Sequence, residues 1–453
     1  MDATTNRLVD YAMETEFSRL PGDTVHEVKR RLIDTFACTV GAYDDPLCKM
    51  ARLIAQRYSG ATPEAAVWGE SWRTTADAAA FANGVMLRML DMSDMYRVKS
   101  GGHPSDTIAA IWAAAEMARS DGPAVINAIT LAYDIYCGFC DAVDVNTKGW
   151  DQPVYSIIAS ALGAGKLLGL SREQMGNALS LALAPNMALV QSRRGELSGW
   201  KGCAGANASR NALFAVVLAR QGFTGPTAVF EGKGGLWDIV GKFPWNISTE
   251  EFTPHRVSST HLKSFPVCYH AQSAAWAAIE ARRNLQLENI SAIKIETYRH
   301  AFLMLGNDPS RWAPSTRETA DHSLPYVTAV ALLDGEVTAQ SFMEERLTDP
   351  AVISVMKKIS IAENADYTAQ YPQSSFCKMT VSVASGKDVV TEVRHPKGHA
   401  HNVMSDAELE DKFRILFREY GSKAQCEQAL KGLWEFDRVK DIGEVSRLFT
   451  KHS

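Results

Sequence analysis

Four short segments gather ionisable side chains in otherwise apolar surroundings. The first is Leu90-Asp91-Met92-Ser93-Asp94, resuming at Gly101-Gly102-His103-Pro104-Ser105-Asp106. Glycines beside an imidazole and carboxylates suit a loop whose backbone can approach a ligand. The second, Arg193-Arg194-Gly195-Glu196 with Ser198 and Trp200-Lys201-Gly202, stands just before an Ala-rich helix. A helix N-terminus with a lysine beside it can hold an anion. The third, Lys263-Ser264-Phe265-Pro266-Val267-Cys268-Tyr269-His270, opens the Ala-rich run from Ala271 to Ala281 and could supply a general acid or base. The fourth, Asp321-His322-Ser323-Leu324-Pro325-Tyr326, precedes the apolar run from Val327 to Leu333. The chemistry these types allow is proton transfer on a bound anion. Taken singly, each segment also reads as a capped turn, a solvated basic turn or a plain helix start, with Cys268 a buried small hydrophobe.

Other patterns carry less. Cys137-Gly138-Phe139-Cys140 has CxxC spacing but no second pair, and lies in a helical apolar stretch, so it reads as core thiols. His395, His399 and His401 have the types of zinc ligands, but Pro396 and Gly398 interrupt them and no cysteine lies close. Gly232-Lys233-Gly234-Gly235 lacks the upstream glycine and the Ser/Thr of a P-loop. No GxGxxG follows a strand, and the cysteines lack iron–sulfur spacing. The expectation is a protein without metal or nucleotide cofactor.

The elements that must position these groups fall into three blocks. The first half predicts helix after helix. Asp23 is expected to cap a helix carrying Val25, Val28, Leu32, Phe36 and Val40. Ala76 to Leu90, Thr107 to Arg119, Ala124 to Val143 and Ala204 to Gln221 are Ala-rich, with Gly222 placed to end the last. Ser171 to Gln174 forms a capping box. After about residue 285 the texture changes: Ile290 to Tyr298 alternates as a strand, and Cys377 to Val393 predicts a hairpin around Ser385-Gly386-Lys387. Ser323 to Leu333 predicts a helix between them. A second capping box, Ser405 to Glu408, starts a helical tail with Leu409, Phe413, Leu416 and Phe417 on one face and Gly421 at its end, free to pack back on the first block.

At 453 residues the chain exceeds one usual core. A net charge of −5 and a pI near 6.2 supply no basic excess for nucleic acid. The apolar stretches are short and interrupted, so no membrane span is expected. Eight scattered cysteines predict reduced thiols in a cytoplasm-like compartment, or in a mitochondrial matrix after removal of a transit peptide.

In order along nearly the whole chain, these segments resemble the MmgE/PrpD family. The resemblance rests on Leu90-Asp91-x-x-Asp94 with Gly102-His103-Pro104-Ser105-Asp106, and on Arg193-x-Gly195-Glu196-x-Ser198-x-Trp200-Lys201-Gly202-Cys203-Ala204. Lys263-x-x-Pro266-x-Cys268-x-His270 and Asp321-His322-Ser323-Leu324-Pro325-Tyr326 continue it. Phe230 to Gly235, Leu332-Leu333-Asp334-Gly335 and Pro396-Lys397-Gly398 also fit. The resemblance implies a mainly α fold: a large all-α domain built from both chain ends (1–265 and 405–453) and a smaller α+β lid (266–404). It implies a cleft between them, a homodimer, no metal, and a small polycarboxylate as substrate.

Carried over by position, the catalytic set is Asp91, His103, Lys201, Lys263, His270 and Tyr326, with Asp94, Ser105, Gln152, Arg193 and His322 binding substrate. Elimination of water from a citrate-like acid needs a base for the carbon proton, an acid for the hydroxyl and cations for the carboxylates. The histidines, Tyr326, and Lys201, Lys263 and Arg193 supply these, and Asp91 could orient His103 or a lysine. The expected reaction is therefore a cofactor-independent dehydration of an acid such as 2-methylcitrate. Decarboxylation of the cis-aconitate type and epimerisation of the iminodisuccinate type remain alternatives, as does a catalytically silent binding protein of this fold. Met95 stands where relatives often carry Thr, and Gln152 where some carry His.

Overall fold

A computed structural model describes residues 1–60, 63–243, 255–384 and 386–451. The fold is mainly α, with two separate apolar cores. The larger core takes residues from Leu8 to Leu262 and again from Met404 to Phe449, so both chain ends build one helical body. The helix Asp406–Phe417, opened by the Ser405–Glu408 capping box, lays Leu409, Phe413 and Phe417 into this core. Phe36 of the helix Gly22–Gly41 stacks on Phe449 with ring centroids 4.1 Å apart. A fully buried phenylalanine of this kind contributes about 1.5–3 kcal/mol.

Two helix starts differ from the sequence reading. Pro21 stands at the N-cap of Gly22–Gly41, so Asp23 lies inside the first turn instead of capping it. The helix Trp200–Arg220 begins four residues before the Ala-rich run, which draws Lys201 into its first turn. This helix meets Ala76–Met89 at Gly84, where an added Cβ would come within 2.8 Å of the Ala206 Cβ. Small residues at that contact let the backbones approach, and the approach carries the C-terminal end of Ala76–Met89 toward Lys201. The helix Gly122–Ala142 is long and apolar enough to cross a membrane by composition, yet 89% of its apolar window is buried in the protein. Its Asp134 pairs with His255 at 2.6 Å, as suits a core helix.

The second core draws on residues from Phe265 to Val381. Its four-stranded sheet has Ile290–Thr297 parallel to Ile359–Glu363 and antiparallel to Cys377–Val383, which pairs antiparallel with Val389–Val393. The alternation seen in the sequence is the sheet's two faces: Ile293, Ile295, Met379 and Val381 are buried, while Lys294 is exposed. The helices Gln272–Arg282 and Leu324–Asp334 share the core with that apolar face. Residue 385, in the expected hairpin turn, lies outside the described residues.

Candidate active site

A cavity of about 370 Å³ opens at the junction of the two cores, lined by Asp91, His103 and Lys201 from the helical body and by Cys268, His270 and His322 from the other unit. Six lysines and arginines line it against four aspartates, so a small anion finds a net positive surround.

Its floor is built on Asp91, which follows the helix Ala76–Met89 in a left-handed backbone conformation, φ +49°. Such a conformation is strained for a residue with a side chain and is held only where the surroundings fix it. Here three cations fix it. Oδ1 lies 3.1 Å from Arg88 Nη2 and 3.1 Å from Lys263 Nζ, and Oδ2 lies 3.2 Å from Lys201 Nζ. The Asp91 carbonyl accepts a further bond from Lys263 Nζ at 2.7 Å. Burial alone would raise the Asp91 pKa, but Lys201, Lys263 and Arg88 hold it well below the usual carboxylate range. Lys263, at 1% exposure, is driven below the usual lysine value by burial, with Asp91 opposing.

Lys201 bridges to the second unit. Its ammonium lies 3.2 Å from Asp321 Oδ1 and 3.3 Å from His322 Nδ1. Asp91, Asp321 and His322 bring one ligand atom each within 4.8 Å of one another, a spacing a cation could fill, and the Lys201 ammonium already lies there, donating to both carboxylates.

His103 is held differently. Gly102 presses its backbone on Gln152 and Tyr136: a Cβ there would stand 1.7 Å from Gln152 Oε1. The next N–H, that of His103, donates to both Gln152 Oε1 and Tyr136 Oη at 2.9 Å. The ring Nδ1 lies 2.7 Å from the Asp94 carbonyl. A carbonyl only accepts, so Nδ1 carries the proton and Nε2 keeps a free lone pair. Burial first, then repulsion from Arg88 and Lys263, pushes the His103 pKa well below its usual value and keeps the ring neutral.

His322 is the opposite case. Burial and Lys201 disfavour its charge, but Cys268 and the Asp321 carboxylate, which accepts from Nδ1, outweigh them and raise its pKa. His270 sits on Tyr298, Nδ1 to hydroxyl 2.6 Å, and burial together with His300 lowers its pKa well below normal.

Of the residues expected from sequence, Asp91, His103, Lys201, Lys263, His270, Gln152, Arg193 and His322 all line the cavity. Arg193 is paired there with Asp151 at 2.9 Å. Asp94 and Ser105 lie behind the wall, where the Ser105 N–H donates to Asp94 Oδ1 at 3.1 Å and the Asp94 carbonyl positions His103. Tyr326 is elsewhere. It is fully buried in the second core, where its hydroxyl donates to the Ser341 carbonyl at 2.7 Å, because the first turn of its helix points it away from the cleft.

Two supporting cations were missed. Arg88 also pairs with Asp106 at 3.0 Å, and its signal was an arginine three residues before Asp91 in an otherwise apolar run. Lys412 binds Asp34 at 2.5 Å and the carbonyls of Met92 and Lys263 at 2.9 and 2.8 Å, tying the tail helix to both motif segments. It lies 149 residues from Lys263, and nothing local marks it.

A helical body meeting an α+β unit, with buried ammonium groups and imidazoles converging where they join, defines a two-part protein with one shared site. The chain belongs to the MmgE/PrpD family, whose N-terminal domain model matches residues 6–246 and whose C-terminal domain model matches residues 265–435. It is similar to the 2-methylcitrate dehydratases of Salmonella typhimurium (28% identity) and Cupriavidus necator (29%), in each case over 92% of this chain and 91% and 90% of the relative. It is also 24% identical to a cis-aconitate decarboxylase-like protein of Aspergillus oryzae, over 98% of this chain and 97% of that one.

Proposed function

We propose that the protein is a lyase that removes water from a citrate-like polycarboxylic acid, 2-methylcitrate being the first candidate. The observation that carries this reading is the contrast between two imidazoles on one cationic cavity: His103 has its Nδ1 on a carbonyl, a free Nε2 and a lowered pKa, while His322 has its Nδ1 on the Asp321 carboxylate and a raised one. Nε2 of His103 takes the proton from the carbon next to a carboxylate. Lys201 and Lys263 stabilise the charge that develops on that carboxylate, and Asp91 keeps both ammonium groups in place. The imidazolium of His322 protonates the departing hydroxyl. The proton-donor role implied for Tyr326 passes to His322, since Tyr326 donates to a carbonyl in the lid core. None of these steps calls for a metal or nucleotide. The named dehydratases support the reaction class, and the decarboxylase-like relative supplies the competing outcome.

The test is incubation with 2-methylcitrate, with citrate and with cis-aconitate, each after exhaustive chelation and dialysis, with products identified. An unsaturated tricarboxylate without carbon dioxide is expected. Carbon dioxide from cis-aconitate, with no dehydration of either hydroxy acid, would move the protein to decarboxylation.

A further inference from the structure

Cys268 differs in kind from the other cysteines. All eight are buried and unpaired. Burial raises the pKa of the remaining seven, Cys203 to about 11 and Cys377 to about 12 among them. Cys268 lines the cavity together with His322, and its N–H donates to the Asp321 carbonyl at 2.9 Å. Asp321 also accepts from His322 Nδ1, so the backbone of Cys268 and the imidazole of His322 are both anchored on Asp321 along the wall. Burial opposes a thiolate, but His322, with Lys263 behind it, lowers the Cys268 pKa below the ordinary value.

A second observation points to what binds beside it. Arg311, 4% exposed, also lines the cavity, and its charge interacts with that of Cys268. Its Nε and Nη2 donate to the carbonyls of Met304 and Gly195 at 3.3 Å, but Nη1 has no hydrogen-bond partner among the described residues. A buried guanidinium nitrogen left unpaired is a vacant place for a carboxylate oxygen.

We propose that Cys268 is the nucleophile of a covalent site for carboxylate-bearing electrophiles, with Arg311 holding the carboxylate and α,β-unsaturated acids as the natural class. The thiolate sulfur attacks the β-carbon; the S–C bond forms as the C=C π bond opens. The electron pair moves to the α-carbon, which takes a proton from the imidazolium of His322, leaving a thioether and a neutral ring. No oxidant or reductant enters. The choice of unsaturated acids rests on the elimination proposed above, because such an acid is its product; the thiolate and its anion subsite do not.

The test labels the intact protein with iodoacetate, iodoacetamide or maleate and follows each cysteine peptide by mass spectrometry across pH. With iodoacetate below neutral pH, Cys268 should react at least about tenfold faster than any other cysteine, as an imidazolium-paired thiolate does. His322→Gln should slow that labelling roughly tenfold and shift its pH profile up to that of an ordinary thiol. Arg311→Gln should leave the iodoacetamide rate intact and remove the preference for iodoacetate. Maleate should add its full mass to Cys268. If Cys268 in the wild type labels no faster than Cys203 or Cys426, or with an ordinary thiol profile, the nucleophile is overturned whether or not the variants fold. An iodoacetate preference that survives Arg311→Gln overturns the carboxylate subsite. Labelling by iodoacetate but never by maleate overturns the unsaturated-acid class, while leaving the hydro-lyase reading to its own assay.

Discussion

Histidines gather in two regions of the molecule, and the regions behave differently. In the cleft, His103, His270 and His322 each have a different partner: a carbonyl, a tyrosine hydroxyl and a carboxylate. On the loop after the last strand, the rings mostly meet one another. His399 stacks on His261 and packs against His395, with centroids 4.5 Å apart in both cases, and His401 lies 5.3 Å from His399. There the Nδ1 of His399 accepts the His401 N–H at 2.9 Å, which leaves the proton on Nε2 and takes away the lone pair a metal would need. The same residue type serves proton chemistry in one place and packing in the other. The surroundings of the ring make the difference: burial, with Arg88 and Lys263, lowers the pKa of His103, while Cys268 and Asp321 outweigh burial and raise that of His322; on the loop burial first, then the neighbouring rings, lower His395 and His399, the latter to about 3.

The sharpest test of that contrast is His103→Asn. It keeps a polar side chain but supplies no base, so kcat is expected to fall by about a thousandfold with KM little changed. His401→Asn, on the exposed edge of the loop, should leave turnover within about twofold. The pH profile separates the regions further. A base whose pKa lies well below 6.5 keeps working as pH falls through the ordinary histidine range, so the acid limb of kcat/KM should lie below that value. An acid whose pKa is raised above 6.5 loses its proton only at higher pH, placing the alkaline limb above it. A loss of activity centred on 6.5 itself would mean that neither ring is tuned by its surroundings.

Next in size come the ammonium groups. Lys201→Ala and Lys263→Ala should each lower kcat/KM by about a hundredfold, the loss expected for a charge-assisted contact to a carboxylate. Each also removes a cation from Asp91, whose backbone is already strained, so stability should fall as well. Lys201→Arg and Lys263→Arg keep the charge. If they restore stability but not activity, position matters beyond charge; full activity of either alanine variant, properly folded, would reduce that lysine to a structural counter-ion.

The sequence was informative where chemistry and local pattern coincide. Capping boxes at Ser171 and Ser405, the alternating strand at Ile290, and Gly222 just past the end of the helix Trp200–Arg220 are nearest-neighbour effects, and each stands as expected. The cleft residues were legible because they cluster in short motifs that resemble a family. Lys412 was illegible because its role depends on a tail helix returning across the fold. The convergence of Cys268 and His322 on Asp321 was equally hidden, since two helix starts 54 positions apart in sequence meet only once the second core has formed.

Tyr326 is where motif and geometry part, and it offers the smallest and most discriminating effect. It belongs to the segment that supplies Asp321 and His322, so the resemblance placed it among the proton donors. The helix Leu324–Asp334 begins at the Ser323 cap, and its first turn sends the Tyr326 ring toward Phe342, 6.0 Å between centroids, and its hydroxyl to the Ser341 carbonyl. Tyr326→Phe keeps the ring and deletes that one hydrogen bond. Urea denaturation should show a loss of about 1 kcal/mol, because the Ser341 carbonyl is left unpaired, while kcat/KM stays within about twofold. The two readouts oppose each other usefully. A hundredfold loss of activity with unchanged stability would put the hydroxyl in the chemistry, and the helix would then have to turn its first residues into the cleft when substrate binds. Loss of stability alone would leave Tyr326 as part of the frame that fixes His322 and Asp321 at the cleft edge.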